Sequence, residues 1–367
     1  MIKKIEIENY KSFGEKTEIK LGKFNVLVGP NNSGKSNFLD FLSFVRELIE
    51  GSISSALTKR GGYKSVVFNS EESKDIYFLI EAEIAGEKLT YSAQINKDNR
   101  APLESLKLNG QDLIIGKNGE GRYWNEEKKM YDNFSSVGQL AISGIETHIH
   151  PLQLKLRDFL RKIDVYKFEL PKLRQKGMVG KVDKLSVDGS NLIQAIHYLR
   201  NKDRELYEEF ENKLRAAIPE IKYLETPPTE DGKVTIEIVE ENLNKRIELS
   251  EVSDGILWLL AHLYVFSSPE PPSMACFEEP SAFIHPRILE LIVDLFKSVE
   301  QQVIVTTHNP IFVNCISSQP EDLIIFEKRE GKTKIKRIEK PEEMKERAIR
   351  DIPLGEIWYS GVIGGVP

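Results

Sequence analysis

The stretch FNVLVGPNNSGKSNFLDFL, residues 24–42, decides how this chain folds. Residues 24–28 form an apolar run typical of a buried strand, and residues 29–36 follow with the pattern G-x-x-x-x-G-K-[ST]. Glycines at both ends permit backbone angles that a side chain would forbid, so the loop amides can turn inward around phosphate oxygens. A helix predicted over residues 36–50 points its positive end at the same place. The sequence therefore predicts a strand, a phosphate-binding loop and a helix in succession.

The loop residues have separate expected roles. Lys35 should reach the β- and γ-phosphates of a nucleotide, and Ser36 should hold Mg²⁺. The alternative is a glycine turn that caps an ordinary helix, which the strand in front disfavours. The residues expected to contact the nucleotide are Gly29, Pro30, Asn31, Asn32, Ser33, Gly34, Lys35, Ser36 and Asn37.

Composition excludes several classes of protein. The 367 residues are 40% hydrophobic and 29% charged, as in a soluble globular chain, and the net charge of −6 disfavours a protein that coats nucleic acid by bulk electrostatics. Two cysteines, Cys276 and Cys315, are too few for a disulfide framework and are expected to be buried thiols. The N-terminus lacks an apolar signal region, and the apolar stretch 256–266 is too short to span a bilayer. We expect a cytoplasmic protein without membrane association.

The order of predicted elements indicates one compound domain, since no internal repeat or low-complexity linker marks a boundary. Strands are predicted over residues 5–10, 17–21, 24–28, 76–84 and 89–94, the last two as a hairpin about residues 86–87. Helical spacing of apolar residues dominates the middle of the chain, at residues 152–160, 192–199 and 207–214. The last third alternates strand and helix, which is typical of a mostly parallel α/β sheet.

Two further strands end in residues suited to phosphate chemistry. MACFEEP, residues 274–280, is an apolar strand that ends in Glu278 and Glu279. Glu278 could hold Mg²⁺ through water, while Glu279 could orient or deprotonate the attacking water; a solvated acidic turn is the alternative. VIVTTH, residues 303–308, ends in His308, which is either a donor to the γ-phosphate or a structural histidine. Ligands of parallel sheets bind at carboxyl ends of strands, which favours the functional interpretation of all three.

Residues Ser253, Asp254 and Gly255 precede a strongly apolar helix and have two possible meanings. Serine and aspartate are common helix N-caps, which is the simpler reading. Alternatively, the serine hydroxyl, the glycine amide and the helix N-terminus form a second anion site. A chain with its own phosphate loop needs such a site only if another subunit's nucleotide fills it.

GPNNSGKS, VSDG, FEEP and TTH, in this order, resemble the motifs of ABC-type ATPase heads of the RecF and SMC class. Within that class the chain resembles small stand-alone "AAA family ATPase" proteins related to the ATPase half of overcoming-lysogenization-defect (OLD) nucleases. The resemblance covers nearly the whole chain, from IENYKSF near the start to LGEIWYSGVIGG near the end. It implies an α/β P-loop NTPase fold with a mixed or parallel core sheet, an N-terminal antiparallel β-subdomain and a helical lobe.

The same resemblance implies how the parts act. Residues 1–135 and 268–367 would form the nucleotide-binding lobe, and residues 136–267 the helical lobe that carries the 253–255 signature. Two heads would sandwich ATP and Mg²⁺, with the signature acting on the partner's nucleotide, Glu278 as metal-side acid, Glu279 as catalytic base and His308 as switch histidine. Arg60 resembles an arginine-loop residue near the phosphates, and Gln139 lies where a metal-binding glutamine loop is expected; both could also be surface residues.

The expected function is that of a dimerising ATPase switch that hydrolyses ATP to ADP and phosphate. The resemblance alone implies an effector such as a nuclease, in DNA maintenance or phage defence, as the expected partner. The sequence shows no long coiled-coil arms and no Toprim nuclease segment of its own. One alternative is an ATP-controlled DNA-binding repair or recombination module. The basic stretch at residues 172–184 is either a contact to nucleic-acid phosphates or a solvated loop, and the loop is the favoured interpretation. Another is a nucleotide-locked scaffold that barely hydrolyses.

Overall fold

The computed structural model describes residues 1–241, 245–281, 284–350 and 352–366, and for residues 348–350 it describes the backbone alone. In chain order its strands are β1 (Ile2–Glu8), β2 (Thr17–Lys20), β3 (Phe24–Val28), β4 (Ile76–Ile84), β5 (Glu87–Ile95), β6 (Leu103–Leu108), β7 (Gln111–Lys117), β8 (Glu120–Asn125), β9 (Met130–Ser135), β10 (Ile163–Tyr166), β11 (Ile221–Glu225), β12 (Glu237–Glu240), β13 (Ile247–Glu248), β14 (Met274–Glu278), β15 (Gln302–Thr306), β16 (Leu323–Arg329) and β17 (Lys332–Arg337).

Helices connect and cover these strands. In chain order they are α1 (Lys35–Glu50), α2 (Ile53–Thr58), α3 (Tyr63–Val66), α4 (Ala141–Gly144), α5 (Pro151–Arg161), α6 (Leu170–Leu173), α7 (Leu192–Lys202), α8 (Arg204–Ala217), α9 (Asp254–Ser267), α10 (Pro286–Ser298), α11 (Pro310–Asn314), α12 (Pro341–Arg350) and α13 (Leu354–Tyr359). The predicted helical periodicities therefore correspond to α5, α7 and α8. No helix in the described ranges is both long enough and apolar enough to cross a bilayer.

A six-stranded sheet with the order β10-β14-β15-β3-β16-β17 forms the centre of the molecule. All its neighbouring strands run parallel except the β16–β17 pair, which is antiparallel. β3 lies between β15 and β16 and is buried along its whole length, as its sequence predicts, in which four of the five residues are apolar and Asn25 is the exception. The predicted mixed or parallel core sheet is confirmed.

Alternating side chains of this sheet feed two separate hydrophobic cores. Val26 and Val28 of β3 pack into one core, together with the signature helix α9 and helix α10. Leu27 packs into the other core, with α1 and the N-terminal strands. Each face of a strand carries every second residue, so a fully apolar strand can serve both cores at once. The central sheet thereby fixes the two halves of the molecule to each other.

The predicted N-terminal antiparallel β-subdomain is present but larger than the sequence suggested. Eight strands pair in the order β2-β1-β4-β5-β6-β7-β8-β9. The hairpin predicted at residues 76–94 is β4–β5, paired without interruption. Strands β6 to β9 were not predicted, because their many exposed polar residues blur the alternation of apolar and polar positions. A third, small antiparallel sheet, β11-β12-β13, belongs to the helical region.

Candidate functional site

Three strands bring the predicted site residues to one edge of the central sheet. In the parallel pairing of β14 with β15, Glu278 lies opposite Thr306, and Thr306 lies opposite Leu27 of β3. The phosphate loop after β3, the acidic pair at the end of β14 and the histidine after β15 therefore meet at the carboxyl edge. They line a cavity of about 370 Å³, with Asn31, Asn32, Ser33, Gly34, Lys35, Ser36, Asn37, Glu278, Glu279, Thr306 and His308 on its walls.

The phosphate loop requires both of its glycines. Gly29 has φ 148° and Gly34 has φ 111°, which are angles that other residues rarely adopt. A Cβ on Gly29 would lie 2.2 Å from the carbonyl oxygen of Phe326, and a Cβ on Gly34 would lie 2.1 Å from Thr333 Oγ1. Backbone angle and space thus both exclude a side chain, and the loop keeps the tight curve that surrounds an anion.

A polar contact network braces the loop from behind. Thr333 Oγ1 donates to the carbonyl oxygen of Ser33 at 2.9 Å and accepts a hydrogen bond from the Ser12 hydroxyl at 2.7 Å. Asn37 Nδ2 also donates to Ser12 Oγ, at 2.7 Å. Asn37 therefore holds the loop in place from the first turn of α1, and Ser12 and Thr333 were not predicted because no motif marks them.

The Lys35 side chain, which is expected to bind nucleotide phosphates, contacts the backbone of the phosphate loop. Its Nζ donates to the carbonyl oxygens of Gly29 at 2.7 Å and Pro30 at 3.1 Å, and the side chain is buried. Burial lowers the pKa of Lys35 to about 8, against the opposing charges of Glu279 and Glu278. A bound phosphate would supply the strong acceptor that this ammonium lacks.

The oxygen groups around Ser36 fit a magnesium ion held jointly with phosphates. Ser36 Oγ donates to Glu278 Oε1 at 2.7 Å. Burial alone would raise the pKa of Glu278, but hydrogen bonds from Ser36 and Lys167 outweigh it, so that pKa is lowered and the acid is a carboxylate. Hydroxyl and carboxylate oxygens are preferred magnesium ligands, and phosphates usually complete the set. Nearby, the buried Ser33 Oγ has no hydrogen-bond partner among the described residues.

Glu279 and His308 form the opposite wall of the cavity. Glu279 adopts φ 50°, so the chain turns sharply and the two successive carboxylates point to different places. The backbone N–H of His308 donates to Glu279 Oε2 at 3.2 Å, and His308 Nε2 lies 3.5 Å from Oε1. Burial raises the pKa of Glu279 to about 6, despite the His308 amide and Lys35. Burial, aided by Lys35, lowers the pKa of His308. The pair is suited to proton transfer near neutral pH.

The Ser253–Gly255 motif begins α9 and lies on the surface. Ser253 Oγ accepts a hydrogen bond from the Ile256 N–H at 3.4 Å, a long version of the predicted helix cap, and the residue is exposed. Asp254 is held by Arg174, whose Nη2 donates to Oδ1 at 2.5 Å and to the carbonyl oxygen of Val252 at 2.7 Å. The motif does not line the cavity of its own phosphate loop, as described above.

Arg60 is turned toward α1 instead of the phosphate loop. Its guanidinium donates to Asp40 Oδ1 at 3.1 Å and Glu47 Oε2 at 2.6 Å, and it lies over the ring of Phe44. The side chain borders a second cavity of about 420 Å³, which also reaches Ser36. The predicted contact with phosphates therefore stays a prediction that would require these ion pairs to change.

Gln139 is not brought together with the metal-side residues. It lies in an exposed turn between β9 and α4, and the neighbouring Gly138 carbonyl accepts from the N–H of Ile53. That contact lies beyond the C-terminal end of α1, a helix about 24 Å long whose other end carries Ser36. The placement does not support Gln139 as a metal ligand.

The residue that lies beside the metal-side acid Glu278 is Lys167. It follows β10, the strand next to β14, and its Nζ lies 3.0 Å from Glu278 Oε2. We did not predict this residue, because the four-residue strand β10 is hidden between helical segments. The only signal for it was the short apolar run Val165–Tyr166 directly before a lysine.

Comparison with known proteins shows the family of this chain. Residues 24–314 match the family described as "AAA domain, putative AbiEii toxin, Type IV TA system". The chain belongs to that family. Relatives include the "Chromosome partition protein Smc" of Gloeobacter violaceus, 27% identical over 60% of this chain, and the "Structural maintenance of chromosomes protein 1" of Saccharomyces cerevisiae, 24% identical over 71%. The chain spans only 19% and 20% of the length of these two relatives.

Solved structures agree on the fold. The "SmcHead bound to the C-winged helix domain of ScpA" matches 93% of this chain and 99% of its own, with TM-score 0.59 and 16% identity. The "SMC head domain from Thermotoga maritima" matches 92% and 99%, with TM-score 0.51 and 17% identity. The predicted class is thus confirmed: this family member is an ABC-type ATPase head of the RecF/SMC class.

Proposed function

We propose that the chain is a switch that binds ATP and Mg²⁺ between two copies of itself and hydrolyses ATP to ADP and phosphate. The observation that carries this proposal is the meeting of the phosphate loop, the Ser36–Glu278 contact and the Glu279–His308 pair at one sheet edge. Each part is needed for phosphoryl transfer to water, which depends mainly on positioning and on electrostatic stabilisation.

Each side chain then has a definite task. Lys35 exchanges its two carbonyl partners for β- and γ-phosphate oxygens, which accept more strongly because they are charged. Ser36 and Glu278 are the residues that would hold Mg²⁺, whose charge offsets that of the phosphates. Glu279 accepts a proton from the attacking water, and His308 orients the groups around it.

The exposed signature supports a site that two subunits complete. Ser253 lies at the start of α9 and is exposed to solvent. Helix N-termini attract anions, so this position could accept a phosphate that comes from outside the subunit. Arg174 holds Asp254 by a short ion pair, which keeps the loop in a defined shape without a nucleotide. A rigid, exposed anion-binding loop that its own nucleotide site does not use is what a partner's γ-phosphate would need.

Mixing two inactive proteins tests this arrangement. Ser253→Arg should leave each subunit's own loop able to bind ATP, while its bulk and charge block association. Mixed with Lys35→Ala protein, it can build one composite site from the good loop of the first and the good signature of the second. We expect partial ATP-dependent heterodimerisation by light scattering, absent from either protein alone.

Two controls separate the alternatives for Ser253. If the serine is only a helix cap, Ser253→Ala costs about 1 kcal/mol of unfolding free energy and ATP-driven association is unchanged. Ser54→Arg places the same bulk and charge on an exposed serine of α2 and should associate normally. Normal association of the Ser253→Arg protein by itself would contradict the role in trans.

We propose that the ATPase switch controls an effector protein, such as a nuclease. The SmcHead structure named above contains a bound C-winged helix domain of ScpA, so a head of this fold can carry a bound partner. The DNA-binding alternative receives less support from the basic stretch 172–184. Its cations pair with carboxylates of the same chain, in the pairs Lys172–Asp188, Arg174–Asp254, Lys181–Asp183 and Lys184–Asp164.

A further inference from the structure

Lys167 touches the metal-side acid from the strand next to it. Tyr166 of β10 lies opposite Phe277 of β14, so the residues that follow, Lys167 and Glu278, stand side by side. Lys167 Nζ lies 3.0 Å from Glu278 Oε2, while Oε1 accepts from Ser36 Oγ at 2.7 Å. Both oxygens of the acid are therefore occupied by the groups that surround the expected metal position.

The backbone of Lys167 is held by a hydrogen bond, whereas most of its side chain is exposed to solvent. Its N–H donates to the carbonyl oxygen of Val187 at 2.8 Å. The next residue, Phe168, is buried, with its ring 5.9 Å from that of Trp258 and 5.1 Å from that of His262. The Lys167 side chain itself is 69% exposed. A change at this side chain can thus alter the charge beside Glu278 without disturbing the packing below it.

We propose that Lys167 is a positioning residue that stands in for Mg²⁺ on Glu278 when no nucleotide is bound, and that it competes with the metal during loading. This inference rests on the proposed function of the site. An ammonium neutralises the carboxylate in the empty site, and it repels a divalent cation that arrives within a few ångströms. Lys167 therefore limits how much Mg²⁺ strengthens nucleotide binding.

The test measures the coupling between metal and nucleotide, without turnover. The affinity for fluorescent mant-ADP is measured with EDTA and with saturating Mg²⁺, and the ratio of the two Kd values is the metal's contribution. We expect Lys167→Gln to raise this ratio roughly three- to tenfold, the order set by one unit charge a few ångströms from Mg²⁺ in a solvated site. Lys167→Arg retains the cation and should keep the wild-type ratio.

Lys172→Gln is the matched control, because Lys172 lies in the same segment and pairs with Asp188 away from the acid. Its ratio should equal that of the wild type. An unchanged or lowered ratio in Lys167→Gln, with mant-ADP still bound in EDTA, overturns the proposal. Lys167→Met repeats the test should the glutamine variant fail to fold. If the wild-type protein binds no mant-ADP under either condition, the proposed function itself fails.

Discussion

Lys35→Ala protein should lose ATP binding while remaining folded. Among the described residues the lysine makes two hydrogen bonds, both to loop carbonyls, so its removal takes little from packing. In the loaded site, however, it is the cation closest to the β- and γ-phosphates. Hydrogen bonds between charged groups contribute about 1.5–3 kcal/mol each, so we expect ATP affinity to fall by at least about 100-fold. Isothermal titration calorimetry measures the loss directly.

A matched variant at the other end of the same strand provides the control. Lys23 is exposed and directly precedes β3, whereas Lys35 follows the loop at the carboxyl end of that strand. Lys23→Ala should bind ATP as the wild type does, and both variants should melt near the wild-type temperature. Undiminished ATP affinity in a folded Lys35→Ala protein would refute the assignment of the phosphate loop.

Glu279→Gln should bind ATP and Mg²⁺ normally but hydrolyse ATP about 100-fold or more slowly, the usual loss when a general base is removed. The amide keeps the shape of the side chain and can still accept the His308 N–H at the position of Oε2. It cannot take a proton from water. Because hydrolysis is what would end association, the variant should accumulate as an ATP-held dimer, which light scattering detects.

The control changes a glutamate that lies near the neighbouring strand and does not contact the site. Glu300 is exposed just before β15, and Glu300→Gln should hydrolyse ATP at the wild-type rate. Turnover of Glu279→Gln equal to the wild type would remove the catalytic role of this residue. A monomeric Glu279→Gln protein at saturating ATP would contradict the dimerising switch.

Strongly patterned elements of the fold could be predicted from the sequence. The bounds of β3 and β4 were predicted without error, because β3 is apolar apart from Asn25 and β4 alternates regularly. Strands β6 to β9 and β10 were missed, since the first four are rich in exposed polar residues and the last has only four residues. Strands β6 to β9 pair with their neighbours in sequence, whereas β10 is stabilised by pairing with β14, far along the chain, which the local pattern does not contain.

Site residues that belong to a sequence pattern were also easier to predict than isolated ones. Lys35, Ser36, Glu278, Glu279 and His308 were found because each follows a strand at a spacing that phosphate chemistry requires, and all five line one cavity. Lone residues without a pattern were harder to place. The glutamine-loop position was assigned to Gln139, which lies in an exposed turn, and that assignment stays a prediction. Lys167 lies beside Glu278 because β10 pairs with β14, and such register is set by tertiary packing.

The position of β3 in the central sheet has a consequence for folding during synthesis. This strand is synthesised long before its two neighbours, β15 and β16, which lie far beyond it in the sequence. Contact between Ser36 and Glu278 spans 242 residues. Such distant pairing is slow to form, and until then both edges of an apolar strand are open to other chains. A growing chain should therefore depend on chaperones, and it should acquire nucleotide affinity only after β14 and β15 have been synthesised.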